Sequence, residues 1–228
     1  MNEPLHPKLK TLFLNEAGIP GKVRGLTLAD LGTSAQQESV VPSAQRFVDG
    51  LRDRYVSPVR PAENYPEDRS KIGVGLLMAG PPGTGKTTLA AVTTQEIFLR
   101  YRLKVLFVAF ADVMAWSVEQ IRLDAQVKAG VPDAIDRFWE IDALLTKVRT
   151  VPVLALDDVG KERRTGSGYA EDTFDMLIRE RFRNMRPTII TTNLELPDWG
   201  KIYNESMASF IREAFEPISM TGRDRRVN

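Results

Sequence analysis

One eight-residue stretch, Gly80 to Thr87, constrains the fold of this chain more than any other part of its sequence. It reads Gly-Pro-Pro-Gly-Thr-Gly-Lys-Thr and fits the pattern G-x-x-x-x-G-K-[ST], a glycine-rich loop whose backbone N–H groups can surround a polyphosphate. An apolar run at 74–78 predicts a buried strand before the loop, and residues 87–101, which lack Gly and Pro, predict a helix after it. Because a helix that follows such a loop directs its free N–H groups at the anion, the sequence predicts a nucleoside triphosphate site.

The residue types within this loop suit ATP bound with Mg²⁺. Gly83 and Gly85 let the backbone approach phosphate oxygens without an intervening Cβ. Lys86 would reach the β- and γ-phosphates and assist catalysis there, and the Thr87 hydroxyl would ligate Mg²⁺. We expect the nucleotide-binding set to be Gly80, Pro81, Pro82, Gly83, Thr84, Gly85, Lys86, Thr87 and Thr88.

Composition excludes several kinds of site. The chain of 228 residues has no cysteine and one histidine, His6, so cysteine-based metal sites, disulfides and histidine catalysis in the core are excluded. Its 31 basic and 30 acidic residues nearly cancel, so any contact with nucleic acid needs a local patch or several assembled copies. No apolar run has the length of a membrane span and no signal peptide is evident, so we expect a cytoplasmic protein without membrane contact.

Strand-like and helix-like segments alternate along the chain. Further strands are predicted at 104–110, 151–156, 187–193 and 217–220. Helices are predicted at 43–55, 132–150, 169–185 and 202–215, and another begins near residue 111. This alternation predicts an α/β fold with a parallel sheet covered on both faces, whose ligands bind beyond the carboxyl ends of the strands.

Polar residues occupy those predicted strand ends. Asp157 would hold Mg²⁺ through water, and Asp158 would orient or deprotonate the attacking water. Asn193 follows another strand and would contact the γ-phosphate. Arg212 lies on the predicted helix 202–215, where the sequence alone is that of an ordinary solvated arginine on an amphipathic helix; at a subunit edge it could instead reach the γ-phosphate of a neighbouring copy and stabilise charge in the transition state.

The order of these motifs resembles that of the AAA+ ATPases. It comprises the phosphate loop, Leu-Asp-Asp at 156–158, Ile-Ile-Thr-Thr-Asn at 189–193, a helical arginine, and a Gly-x-Asp-x-Arg end at 222–226. Within that superfamily the chain resembles the bacterial and phage helicase loaders of DnaC/DnaI type and their IstB-type transposition-helper relatives. The segment Ile19–Leu31 also resembles the start of their ATPase domain, so the resemblance covers residues 19–228.

The resemblance implies a three-layer αβα phosphate-loop fold with a five-stranded parallel sheet of order 5-1-4-3-2. It implies ATP at the interfaces of a ring or spiral of copies, with Arg212 acting in trans. It also implies contacts with single-stranded DNA from helices within 111–150, where the candidates are Trp116, Arg122, Lys128, Arg137 and Trp139. Related ATPases usually have glutamate where this chain has Asp158, so slow or partner-stimulated hydrolysis is expected.

The two ends of the chain depart from the family pattern. Loaders usually carry a separate N-terminal domain that grips the helicase, whereas here we expect an arm at 1–18 and an ATPase domain at 19–228 with little or no C-terminal lid. Within the arm, 9–14 could form a short helix that contacts the body or a partner, or could stay loosely ordered. Position 208 is alanine where some members have a second arginine, which leaves Arg226 as a substitute nucleotide sensor.

These features predict an ATP-dependent replication protein that binds ATP and single-stranded DNA and delivers or opens a hexameric replicative helicase. One alternative is an IstB-like ATPase that helps a transposase and binds duplex DNA. A small-molecule phosphate-loop kinase is an alternative of another class, and a nucleotide-binding interaction module with negligible hydrolysis is a third.

Overall fold

A computed structural model of the chain describes residues 5–32, 38–59, 65–161 and 168–222. Five strands form its sheet: β1 (Gly75–Ala79), β2 (Val105–Ala109), β3 (Val153–Val159), β4 (Thr188–Thr192) and β5 (Phe215–Ser219). The helices before the first strand are α1 (Pro7–Glu16), α2 (Leu28–Gly32), α3 (Val41–Asp49) and α4 (Leu51–Arg54). Those that follow it are α5 (Lys86–Tyr101), α6 (Phe110–Lys128), α7 (Asp133–Thr150), α8 (Tyr169–Arg183), α9 (Trp199–Ile202) and α10 (Glu205–Ala214).

The sheet has the strand order β2-β3-β4-β1-β5, and every neighbouring pair is parallel. This is the predicted order 5-1-4-3-2 counted from the other edge, so the predicted topology is confirmed. With β1 in an interior position, the loop that follows it opens among the carboxyl ends of β3, β4 and β5. Those ends are where parallel sheets bind their ligands.

Alternating side chains divide the core between the two faces of the sheet. Leu76 and Met78 of β1 pack in a cluster with residues of α1, α2, α3 and α5. Leu77, between them, faces the opposite cluster, which includes residues of α6, α7, α8 and α10. Successive strand residues point to opposite faces, so both faces of β1 are buried and the three layers follow.

The N-terminal helix α1 contacts the body of the protein. Its Leu14 is buried in the first core cluster, and the backbone N–H of Phe107 on the edge strand β2 donates to the Ala17 carbonyl at 2.7 Å. Leu9, Leu12 and Phe13 of the same helix are exposed. Of the helices in the described ranges, none is both long and apolar enough to cross a membrane.

Several predicted element boundaries are wrong, among them those of the last strand, predicted at 217–220 and observed at Phe215–Ser219. The predicted helix 43–55 is interrupted at Gly50, a poor helix former, where α3 ends and α4 begins. The predicted helix 202–215 begins only at Glu205, because Asn204 caps a new helix by accepting the Met207 N–H at 2.8 Å, and Phe215 already belongs to β5. The predicted strand 151–156 extends to Val159, so the two aspartates lie within β3 rather than after it.

Candidate functional site

The glycine-rich loop joins β1 to α5 in a conformation that its glycines make accessible. Gly83 and Gly85 have φ of +76° and +92°, in the region that favours glycine. Gly80 has φ of +147°, and a Cβ there would lie 2.0 Å from the Met220 carbonyl oxygen. Gly80, at the start of the loop, therefore packs directly against Met220, the residue that follows β5, and no residue larger than glycine fits there.

A cleft of about 220 Å³ opens over this loop. Six residues of the predicted set line it: Pro82, Gly83, Gly85, Lys86, Thr87 and Thr88. They are joined by Asp158, Asn193, Lys161 and Lys22. Three lysines and one aspartate give the lining a positive balance, which suits a polyphosphate.

The other three predicted residues are not among those that line the cleft, and they make contacts within the loop. The Lys86 ammonium donates to the carbonyls of Gly80 and Pro81, at 2.7 Å each. The buried Thr84 hydroxyl donates to the Pro81 carbonyl at 2.9 Å. Gly80, Pro81 and Thr84 thus contribute to the loop conformation, and Lys86 is held beside the cleft by contacts with the loop.

The two aspartates form a β-bulge opposite Thr191. Leu156 pairs with Ile190 and Val159 with Thr192, so Asp157 and Asp158 together face one residue of β4. The Thr191 hydroxyl donates to Asp157 Oδ1 at 2.6 Å and accepts the Asp158 N–H at 2.9 Å. At this bulge Asp158 has φ of +59°. The Asp157 side chain is buried, whereas Asp158 lines the cleft.

Asp157 and Thr87 together fit a magnesium site. Burial raises the pKa of the Asp157 carboxyl above its usual value, and the Asp158 charge adds to this, while hydrogen bonds from Thr191 and Thr87 and the Lys161 charge oppose it. A carboxylate beside a hydroxyl supplies the hard oxygen donors that Mg²⁺ prefers, usually completed by substrate phosphates and water. The described residues include no group of three or more His, Asp or Glu that could hold a metal ion by themselves.

Asp158 and Asn193 meet at the cleft, as their sequence positions predict. The Lys161 ammonium donates to Asp158 Oδ1 at 2.8 Å, in an ion pair whose side chains are about 40% exposed. The Asn193 Oδ1 atom is buried and has no hydrogen-bond partner among the residues that the structure describes. A buried amide oxygen without a partner is costly, which favours a water or ligand donor at this position.

Arg212 lies away from the cleft of its own chain. It precedes β5 by three residues, and Phe215, the first residue of β5, pairs with Gly75, the first residue of β1. Arg212 is therefore near the amino ends of the strands, roughly 15 Å of strand length from the phosphate loop. Its side chain is exposed. Arg226 lies outside the described residues.

Three residues of the site are missed by the sequence analysis. Lys161 and Lys22 line the cleft, and Thr191 closes the bulge. Thr191 is one of three threonines in the strand 188–192, so residue type alone does not single it out. Lys22 lies in the segment 19–31, far from the loop in sequence, so no local pattern indicates its place.

The sequence profile of the IstB-like ATP binding protein family matches residues 46–213. Among solved structures, the DnaC helicase loader is similar with a TM-score of 0.61 and 24% identity, covering 89% of this chain and 100% of that one. DnaI is similar with a TM-score of 0.55 and 23% identity over 91% and 94%. The replication initiator DnaA bound to AMPPCP and single-stranded DNA has a TM-score of 0.60 and 14% identity over 90% and 51%. No curated protein sequence matches the chain.

Proposed function

The chain belongs to the family of IstB-like ATP-binding proteins, and from this premise we propose that it is a replication ATPase that loads a hexameric helicase onto single-stranded DNA. The observation that carries the proposal is the convergence of the phosphate loop, Asp157 with Thr87, Asp158 and Asn193 at one cleft. The similarity to DnaC and DnaI supports the loader assignment through their shared fold. We place the activity in the cytoplasm, where ATP and replicating DNA are available.

ATP binding would use the loop in the conformation described above. The N–H groups of Gly83, Gly85 and the first turn of α5 would face the phosphates, and the Lys86 ammonium would exchange its carbonyl contacts for phosphate oxygens. Thr87 and Asp157 would hold Mg²⁺, which neutralises phosphate charge when bound. We therefore expect Lys86→Ala to abolish ATP binding.

Hydrolysis of ATP to ADP and phosphate would depend on Asp158. For its carboxylate to orient water and accept a proton, the ion pair with Lys161 must loosen or rotate. The unpartnered Asn193 oxygen is available to accept a hydrogen bond from the same water. Since aspartate is one methylene shorter than glutamate, we expect slow turnover that a partner stimulates.

The position of Arg212 supports an action in trans. An exposed arginine beside the amino ends of the strands is remote from its own cleft but accessible to a neighbouring copy. In a ring or spiral it would meet the γ-phosphate bound next door and stabilise transition-state charge. Arg212→Ala should retain ATP affinity and lose the turnover that rises with protein concentration. Arg52→Ala, an exposed arginine on α4, is the control. Wild-type turnover in Arg212→Ala at high protein concentration would refute the trans role.

The candidate surface for single-stranded DNA offers little unpaired positive charge. In the α6–α7 hairpin, Lys128 pairs with Asp124 and Arg137 with Glu119, which leaves Arg122 as the unpaired candidate cation among the residues described there. Trp139 is exposed and could stack on a base, whereas Trp116 packs partly against the core. We therefore expect DNA affinity to depend on several assembled copies and to fall steeply with salt.

The decisive experiment compares ATP-dependent affinity for single-stranded and duplex DNA at one fixed salt concentration, together with co-purification of the host replicative helicase. Preference for single strands and ATP-dependent retention of the helicase would support the loader. Preference for duplex DNA with no helicase retention would favour the second candidate, a transposase helper, which the resemblance to IstB-type proteins implies. ADP formation that strictly requires a small acceptor would instead favour a kinase.

A further inference from the structure

One lysine of the nucleotide cleft comes from outside every phosphate-binding motif. Lys22 lies in the 3₁₀ turn Gly21–Val23, which is anchored in the core by Val23, 2% exposed, and by Ile19 just before it. Its side chain nevertheless lines the cleft beside the glycine-rich loop and Asp158. The first core cluster thus brings a cation from the start of the chain to the phosphate loop.

The three lysines of the cleft differ in how they are held. The Lys86 ammonium contacts the carbonyls of Gly80 and Pro81, and Lys161 pairs with Asp158. Lys22 makes no hydrogen bond or ion pair with any described residue, and it is exposed. An unpaired ammonium at the edge of a cleft shaped for phosphates can bind an anion without first breaking a protein contact.

We propose that Lys22 binds the phosphate chain of the nucleotide, so that bound ATP holds the segment 19–24 against the cleft. The inference rests on the proposed function, since it requires a nucleotide in this cleft, and it adds a binding residue outside the loop.

The same segment is joined to helix α1, which gives the contact a consequence. Arg24 donates to the Ile19 carbonyl, at 2.9 Å from Nε and 2.6 Å from Nη2, and also to Asn15 Oδ1 on α1. Restraint of Lys22 by a phosphate is therefore transmitted through Arg24 and Asn15 to the last turn of α1. That helix exposes Leu9, Leu12 and Phe13, so nucleotide state would control how firmly an exposed apolar row is held.

Equilibrium binding tests the first step. With full-length protein and a fluorescent ATP analogue, Lys22→Met, which removes the charge and keeps the length, should weaken affinity about tenfold at low salt. Lys22→Arg should stay close to wild type, and the difference between Lys22→Met and wild type should shrink as salt screens the contact. Lys71→Met, an exposed lysine outside the cleft, is the matched control.

The outcomes separate this inference from the proposed function. If wild type fails to bind ATP, or Lys86→Ala binds as well as wild type, the proposed function itself is refuted. If wild type binds, Lys86→Ala does not, and Lys22→Met equals wild type, only the Lys22 contact is refuted. A loss in Lys22→Met that Lys22→Arg shares at full size would also refute it, because a charge contact should survive that change.

Amide hydrogen exchange tests the transmitted restraint at saturating ATP. In wild type, ATP should slow exchange in 19–24 and in the last turn of α1. Lys22→Met at equal saturation should lose both effects, whereas Arg24→Ala should keep the slowing near Lys22 and lose it in α1. Equal slowing of α1 in wild type and Arg24→Ala would overturn the transmission step.

Discussion

Replacing the buried arginine of α8 should remove a large part of the stability of this protein. Arg181 is fully buried and has no acidic partner within hydrogen-bonding reach among the described residues. Its guanidinium donates to the carbonyls of Val148, Arg149 and Val151, to the carbonyl of Pro187 and to the Thr188 hydroxyl, at 2.9 to 3.2 Å. It thereby joins the end of α7 to the starts of β3 and β4, the two strands that carry the aspartates and Asn193.

The size of the effect follows from these acceptors. The Val148 carbonyl has no helical partner four residues on, because Pro152 lacks an N–H, so it depends on Arg181. Leaving a buried acceptor unpaired costs about 1–3 kcal/mol. Burial also lowers the pKa of Arg181 to about 9, which reflects the cost of holding its charge inside, and Arg181→Met would remove that cost. With several acceptors orphaned and this cost recovered, we expect a net loss of about 3 kcal/mol.

Urea unfolding, followed by far-UV circular dichroism and tryptophan fluorescence, measures this loss as a lower midpoint at unchanged slope. The matched control is Arg186→Met, since Arg186 is half-buried and donates one bond, to the Arg149 carbonyl at 3.2 Å. We expect it to cost less than about 1 kcal/mol. If Arg181→Met and Arg186→Met lost the same stability, the reasoning from orphaned acceptors would be refuted.

Three further predictions concern the site. Thr191→Val should leave ATP binding nearly intact but slow turnover about tenfold, because the bulge loses both hydrogen bonds that position Asp157 and Asp158. Single-turnover assays with Thr191→Ser as the control measure this, and equal rates in Thr191→Val and wild type would contradict it. Because the pKa of Asp157 is raised, its carboxylate takes up a proton at a pH above the usual aspartate pKa of about 4. On acidification, Mg²⁺-dependent ATP affinity should therefore begin to fall while the pH is still above that value. Titrations at stepped pH with an EDTA control test the sign, and a fall confined to lower pH would refute it. Gly80→Ala should abolish nucleotide binding or folding, because its Cβ would lie 2.0 Å from the Met220 carbonyl oxygen. Calorimetry and circular dichroism test this, and a wild-type result in both would show that the backbone around Met220 moves to accept the Cβ.

Much of the fold is predictable from local pattern. The glycine-rich loop with its flanking strand and helix is correct within one or two residues, because that motif is a local backbone solution to anion binding. The boundaries around Gly50 and Asn204 are not, because apolar periodicity continues across both positions, while α3 ends at Gly50 and Asn204 caps the start of α10. The strand order depends on the family resemblance, since alternating strands and helices allow several parallel orders.

By itself, the sequence determined an α/β chain with a triphosphate loop, and it placed Asp157, Asp158 and Asn193 at the edge where that loop opens. These follow from contacts between residues near in sequence and from the rule that ligands bind at the carboxyl ends of parallel strands. Only the tertiary structure decided that Thr191 closes a bulge under the aspartates and that Lys22 enters the cleft. Strand register and the packing of the N-terminal segment on α5 bring these residues in from distant parts of the chain, and side-chain packing over such separations leaves no periodic trace in the sequence.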